Sequence, residues 1–135
     1  PLTLAWWLLG EPHSVTSTVE RVASGVDGGV ALDLVWDGGA TAQLTCGSVA
    51  EGPRTSRIVC ERAEVLIPAP SHAASSAVVL ADGVRQEVTA VVASLHHQVA
   101  EVHRCVKEGR RESPRMSHAE SRAVLAFMLA VLEPR

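Results

Sequence analysis

The feature that most limits what this chain can fold into is a pair of alternating segments joined by a tight turn. Val30 to Trp36 places Val30, Leu32, Leu34 and Trp36 on one side and Asp33 on the other. Thr41 to Cys46 repeats the pattern, with Ala42, Leu44 and Cys46 inward and Thr41, Gln43 and Thr45 outward. Between them stands Asp37-Gly38-Gly39, whose residue types tolerate the positive φ angles of hairpin turns. A period of two with one apolar side describes a strand covered on one face and open on the other, the mark of an antiparallel sheet.

Other segments extend that sheet. Ser14 to Val22 is rich in Val and Thr and reads as a strand, and Gly25 to Gly29 reads as a loop. Thr55 to Cys60 and Ala63 to Ile67 read as short strands joined near Glu61-Arg62. Pro68 to Ser76 holds two prolines and reads as a loop. A second hairpin follows, Val78 to Leu80 and Arg85 to Val92 about the turn Asp82-Gly83.

Three segments have helical character. Leu2, Ala5, Trp6, Leu8 and Leu9 form an apolar helix that Gly10 caps and Pro12 prevents from resuming. Leu95, Val99, Val102 and Val106 recur at helical spacing beside Cys105, and Gly109 ends that amphipathic helix. Ser117-His118-Ala119-Glu120 is a capping box opening a last helix that runs to Leu132 and stops at Pro134. From Ala123 to Leu132 this helix is apolar all round. A domain of this size rarely covers such a helix completely, so a partner surface is expected. The pattern as a whole is α+β: an open, predominantly antiparallel sheet with helices on one face.

Composition narrows function by exclusion. A net charge of -3 offers no basic field for nucleic acid or an anionic membrane. The longest apolar run near a terminus, Ala123 to Leu132, is far short of the roughly 20 residues that cross a bilayer. Cys46, Cys60 and Cys105 are odd in number and form no C-x-x-C pair, so they read as buried, reduced thiols of a cytoplasmic protein. Aromatic residues make up 3% of the chain with no Tyr, which disfavours a base-stacking or sugar-stacking platform.

Motifs that resemble chemical sites have plainer readings. Gly25-Val26-Asp27-Gly28-Gly29 lacks G-x-G-x-x-G spacing and precedes a strand, so it is not a phosphate loop. His96 and His97 diverge by about 100° on a helix, and His96 and His103 stand about 10 Å apart, too far to share a zinc ion. Ser113 and Ser117 near His118 have no evident acid or oxyanion hole, and Ser117 already caps a helix. Arg110, Arg111, Glu112 and Arg115 form a charged loop, read as solvated, with a docking edge as the alternative. The open sheet face, with Asp33, Thr41, Gln43 and Thr45 and with Val35 between, is the better candidate for a partner or substrate surface.

Several short motifs, taken in order, resemble the C-terminal domain of the Gfo/Idh/MocA oxidoreductases, the group of glucose-fructose oxidoreductase, inositol dehydrogenase and dihydrodiol dehydrogenase. Pro1-Leu2 through Leu8-Leu9-Gly10-Glu11-Pro12 is similar to the family's helix ending in L-L-G-x-P, followed by a strand like Ser14 to Ser17. Thr55 to Val59 with Glu64 to Pro68 resembles its strand pair. Val99 to Val102, Cys105 to Gly109 and Glu112-Ser113-Pro114 resemble its helix and following loop, and Ser117 to Arg135 its closing helix. Two departures stand out: Cys60-Glu61-Arg62-Ala63 replaces the family's G-T-x-G turn, and Ser94 replaces the glycine that opens its long helix.

The resemblance implies a fold like the glyceraldehyde-3-phosphate-dehydrogenase C-terminal domain. It also implies that residues 1–135 form one substrate-binding and dimerisation domain. The family's Rossmann domain, which binds NAD or NADP and carries the catalytic lysine, would precede it, and the abrupt apolar start at Pro1 fits a boundary inside a longer protein. No catalytic, cofactor-binding or metal residue is carried over onto this chain, and the substrate-lining residues are left unassigned. The implied partners are a second copy through the open sheet face, the Rossmann domain, and a sugar, polyol or related hydroxyl compound as substrate. The chain alone is expected to be inactive. The alternative is a free-standing α+β binding or scaffold module.

Overall fold

The computed structural model describes residues 1–90 and 95–132. They divide into two compact units: residues 1–52 with 114 onward, and residues 53–113. The class is α+β, every strand pairing is antiparallel, and the strands form two hydrogen-bonded ladders, of three and of four strands.

In the first unit, helix α1 (Leu2–Leu9) leads into strands β1 (Ser14–Arg21), β2 (Asp27–Val35) and β3 (Thr41–Gly47), and helix α3 (His118–Leu132) completes it. The alternation in β2 and β3 dictates the register. Leu32 pairs with Leu44 and Leu34 with Ala42, which puts all four on one face. Ala5 of α1, Leu34 and Trp36 form the buried centre, joined by Val15, Leu32, Leu44 and Phe127. Leu34 is 1% exposed. The Trp36 indole N–H donates to the Gly10 carbonyl at 3.1 Å, so the residue that ends α1 also satisfies the one polar atom of this core aromatic. Gly10 has φ 77°, and its N–H donates to Trp6. Trp6 meets Phe127 of α3 edge-on, with ring centroids 5.7 Å apart.

The glycine segment departs from expectation. β2 begins at Asp27, so Gly28 and Gly29 are in the strand and not in a loop. A side chain at Gly28 would put a Cβ 2.6 Å from Val22 Cγ1, and one at Gly47 would meet the Gly28 carbonyl at 2.9 Å. The glycines therefore permit a close backbone approach where β1 carries a bulge between Glu20 and Arg21, a use of strand glycine that composition alone reads as a loop.

The second unit orders β4 (Ser56–Val59), β5 (Ala63–Ile67), β6 (Ser76–Ala81) and β7 (Val84–Thr89) as successive neighbours, with α2 (His96–Lys107) after them. The β4–β5 turn closes without glycine: the Cys60 N–H donates to the Ala63 carbonyl at 2.8 Å, and none of residues 60–63 has a positive φ. β6 and β7 meet in a two-residue turn with Asp82 at φ 49° and Gly83 at φ 79°, as the Asp-Gly signal predicts. A 3-10 turn, Ser71–Ala73, interrupts the proline-rich loop. Val91, Val92, Ser94 and Pro134, which the sequence reading assigned to a strand end, a helix start and a helix stop, lie outside the described residues.

Helix α2 ends as its glycine predicts. Gly109 has φ 65°, its N–H donates to Val106, and the Arg110 N–H donates to Cys105, the paired bonds of a Schellman cap. Its apolar stripe is uncovered, however. Val99, Val102 and Val106 are 52%, 60% and 70% exposed, and Cys105 alone among the residues of the helix is buried.

Candidate functional site

The three-stranded sheet shows two contrasting faces. Helices α1 and α3 lie on the side of Leu32 and Leu34. The opposite face is made by three cross-strand rows: Ser14–Val35–Thr41, Thr16–Asp33–Gln43 and Thr18–Ala31–Thr45. All nine residues are exposed. The Gln43 amide donates to the Asp33 carboxylate at 2.9 Å across the β2–β3 pair, which fixes the centre of the face. The residues singled out from the alternation (Asp33, Val35, Thr41, Gln43 and Thr45) are thus brought together on one surface of short, mostly hydroxyl-bearing side chains. Such a face can meet a second protein surface by hydrogen bonding and close approach, because few long side chains must be ordered.

Around α3 the fit is looser. Its N-terminus is built as the sequence dictates: the Glu120 N–H donates to Ser117 Oγ at 3.1 Å, and the Ser117 N–H donates back to the Glu120 carboxylate at 2.9 Å. That backbone bond, helped by the Ser117 hydroxyl, lowers the Glu120 pKa. Val124 and Val131 are buried against the unit, whereas Leu125, Met128 and Leu129 are 55%, 45% and 56% exposed. A shallow groove of about 270 Å³ runs between α1 and α3, lined by Thr3, Met116, Ser121, Val124, Leu125 and Met128. The apolar helix is therefore covered on one side only within its own unit. At its far end the Arg21 guanidinium donates to the Leu132 carbonyl at 2.7 Å, a cation placed at a helix C-terminus.

The second unit holds the strongest electrostatic cluster. Glu101 accepts two bonds from Arg104, at 2.7 and 3.0 Å, and one from Ser113 Oγ at 2.6 Å. Arg104 also reaches Glu108, which takes Arg110 at 2.6 Å. The Arg104 and Ser113 bonds hold the Glu101 carboxyl down to about 2, from an ordinary value of 4.5. Burial raises the neighbouring Cys105 thiol, and Glu101 adds to that effect. The Glu101–Arg104 spacing was visible in sequence as an i,i+3 pair. The Ser113 bond, twelve residues away, carried no sequence signal. The network clasps the loop after α2 to that helix, so Arg110, read as part of a solvated cluster, is committed to Glu108.

The remaining sequence candidates are dispersed. His96 and His97 meet edge-on with ring centroids 6.3 Å apart. No group of three potential ligands able to hold a metal ion occurs among the described residues. Ser113 serves Glu101 and Ser117 serves Glu120, so neither is poised as a nucleophile. The thiols need correction: Cys105 is buried, but Cys46 and Cys60 are exposed. Cys46 shares the inward face with Leu44, but it sits near the end of β3 on a small hollow that Phe127, Val131 and Leu132 of α3 line without filling, and it stays exposed. Among the described residues no helix is long and apolar enough to cross a membrane.

Comparison with known proteins accounts for this arrangement. Residues 1–66 match the sequence model of the GFO/IDH/MocA C-terminal domain. A trans-1,2-dihydrobenzene-1,2-diol dehydrogenase of Danio rerio is 29% identical over 88% of this chain and 38% of its own length. Over its first half the chain is thus similar to the Gfo/Idh/MocA C-terminal domain. The fold agrees: a UDP-N-acetylglucosamine 3-dehydrogenase from Acidithiobacillus ferrooxidans superposes with a TM-score of 0.76 over 96% of this chain and 42% of its own, at 18% identity. An Agrobacterium radiobacter oxidoreductase, solved with NAD+, L-tartaric acid and magnesium, superposes with a TM-score of 0.67 over 96% of this chain and 42% of its own, at 14% identity. The chain thus spans about two fifths of the length of these relatives.

The residues described here do not fit a nicotinamide dinucleotide. A dinucleotide cradle needs parallel strands with a glycine turn opening onto a helix N-terminus. Every described ladder is antiparallel. The glycine-rich segment opens onto β2, with the Gly28 position closed by Val22 and Val49.

Proposed function

We propose that this chain is the substrate-pocket and dimerisation domain of an NAD(P)-dependent oxidoreductase of the cytoplasm acting on a sugar, polyol or related hydroxyl compound. The nicotinamide and the catalytic groups belong, on this reading, to an N-terminal Rossmann domain outside residues 1–135. The chain's part is to form a wall of the substrate pocket and to pair with a second copy through its open sheet face, with residues 1–135 acting as one domain.

The observation that carries the reading is the one-sided covering of the three-stranded sheet: helices on the Leu34 face, and nine exposed residues on the other. The family match and the NAD+ held by the Agrobacterium radiobacter neighbour support the redox assignment. The uncovered side of α3, at Leu125, Met128 and Leu129, favours a domain with a neighbour over a free-standing module.

The test is to read the coding sequence upstream of Pro1, express the continuous protein, and follow NAD(P)+ reduction against a panel of sugars and polyols. The expected outcome is an upstream strand and G-x-G-x-x-G turn, and activity in the continuous protein only. A start codon immediately before Pro1, or a continuous protein that reduces neither cofactor with any hydroxyl substrate, would overturn the proposal.

A further inference from the structure

We propose that Asp37 is a site of backbone modification: the Gly38 amide nitrogen attacks the Asp37 side-chain carboxyl, and the chain isomerises there to isoaspartate in preference to its other Asp-Gly pairs, Asp27-Gly28 and Asp82-Gly83. The reaction needs no partner and is independent of the oxidoreductase reading.

The step balances with water alone. A bond forms from the Gly38 nitrogen to Asp37 Cγ, that nitrogen gives up its proton, and a carboxyl oxygen leaves as water. The succinimide ring so formed then takes up a water. Where that water enters at the former backbone carbonyl, the main chain afterwards runs through Cβ and is longer by a methylene. Glycine is the residue that eases this attack most, since it places no Cβ beside the nitrogen and restricts the backbone least.

The structure separates the pairs. Asp27 opens β2 opposite Arg21, and its glycine is hemmed in: a Cβ at Gly28 would stand 2.6 Å from Val22 and 3.0 Å from Val49. Asp82 is held by the Arg62 guanidinium at 2.9 Å, a group that fixes the carboxylate and has no proton to give up. Asp37 has neither restraint. It lies in the turn between β2 and β3, its side chain is 87% exposed, and nothing lies within 4 Å of a Cβ position on Gly38. That turn is closed by the Gly39 N–H donating to the Trp36 carbonyl at 2.9 Å and the Trp36 N–H donating to the Ala40 carbonyl at 3.0 Å. Among the described residues no backbone carbonyl takes the Gly38 N–H, so the attacking nitrogen has no main-chain bond to break. A proton source stands beside the carboxyl as well, with His13 Nδ1 2.9 Å from Asp37 Oδ1. An imidazole exchanges protons near neutral pH, so it can protonate the leaving oxygen as a general acid.

The product alters a particular place. An extra methylene between Asp37 and Gly38 displaces the Gly39 N–H from the Trp36 carbonyl and loosens the Val35–Thr41 pair, the end row of the open sheet face.

Ageing the 135-residue chain in heavy-oxygen water tests this, with electron-transfer fragmentation to tell isoaspartate from aspartate at each position and circular dichroism to verify the fold of each variant. Isoaspartate and heavy oxygen should gather at Asp37 tenfold or more faster than at Asp27 or Asp82. Gly38→Ala, which meets open space, should slow the change at Asp37 tenfold or more. His13→Gln, which keeps a donor and loses the exchangeable proton, should slow it severalfold. A carboxyl methyltransferase specific for isoaspartate, supplied with S-adenosylmethionine, should label the aged parent and leave the aged Gly38→Ala chain unlabelled. Equal or faster conversion at Asp27 or Asp82, or a rate at Asp37 that Gly38→Ala does not change, would overturn the proposal. An unchanged rate in His13→Gln would overturn the part given to the imidazole.

Discussion

Replacing Leu34 with alanine tests the packing on which the first unit depends. Leu34 is 1% exposed and lies between α1 and the middle strand, against Ala5 and Trp36. The change removes about three methylene equivalents at roughly 0.8 kcal/mol each, or about 2.4 kcal/mol. The backbone on either side is held by pairing to Val15 and Ala42, and Ala5 is too small to fill the space, so collapse is restricted. A residual void on the order of 50 Å³ adds about 1.2 kcal/mol. The expected loss is therefore between about 3 and 4 kcal/mol, a large share of a small domain's stability. Urea titration followed by tryptophan fluorescence reads it directly, because Trp36 is 7% exposed in the same cluster. Val35→Ala is the control: Val35 lies on the open face at 40% exposure, and its loss should stay under about 1 kcal/mol. A loss below about 1 kcal/mol for Leu34→Ala, or equal losses for the two variants, would refute the assignment of faces.

Ser117→Ala should cost about 1 kcal/mol by removing the hydroxyl that accepts the Glu120 N–H, measured in the same titration. Glu120 titrates below its ordinary value of 4.5 in the folded chain, so its contribution is full above that pH and fades as pH falls through the lowered folded value. Glu120→Gln should flatten that acid limb. In an NMR pH titration the Glu101 carboxyl should stay ionised down to about pH 2, and Ser113→Ala should move its midpoint upward; an ordinary midpoint in the parent chain would contradict the Ser113–Glu101–Arg104 network. A thiol reagent should modify Cys46 and Cys60 in the folded chain and reach Cys105 only after denaturation, because Cys105 is buried and its pKa is raised.

The elements that follow a strict period were the legible ones. The β2–β3 alternation fixed both faces and the register because a slip of one residue would turn Leu32 and Leu34 to water. Turn and cap chemistry was equally direct at Asp82-Gly83, at Gly109 and at Ser117–Glu120, where the bonds are local. What sequence did not disclose was set by contacts distant along the chain. Gly28 and Gly29 read as a loop because their use, the close approach of Val22 and Gly47, is visible only after folding. Cys46 alternated into the inward set, but the hollow between it and α3 is left unfilled and the thiol is exposed. The stripe of Val99, Val102 and Val106 announced burial, and within its unit it is uncovered; periodicity shows that a face is apolar without showing what covers it. The open face of the candidate site was readable for the opposite reason, since it is defined by the polar half of the same alternation.

The proposed function has this chain supply surface and not the nicotinamide site. Titrating the 135-residue chain with NADH and following nicotinamide fluorescence tests it most directly. The account predicts no saturable change, because every described ladder is antiparallel and the glycine-rich segment opens a strand. Saturable, tight binding of NADH by these residues would contradict it.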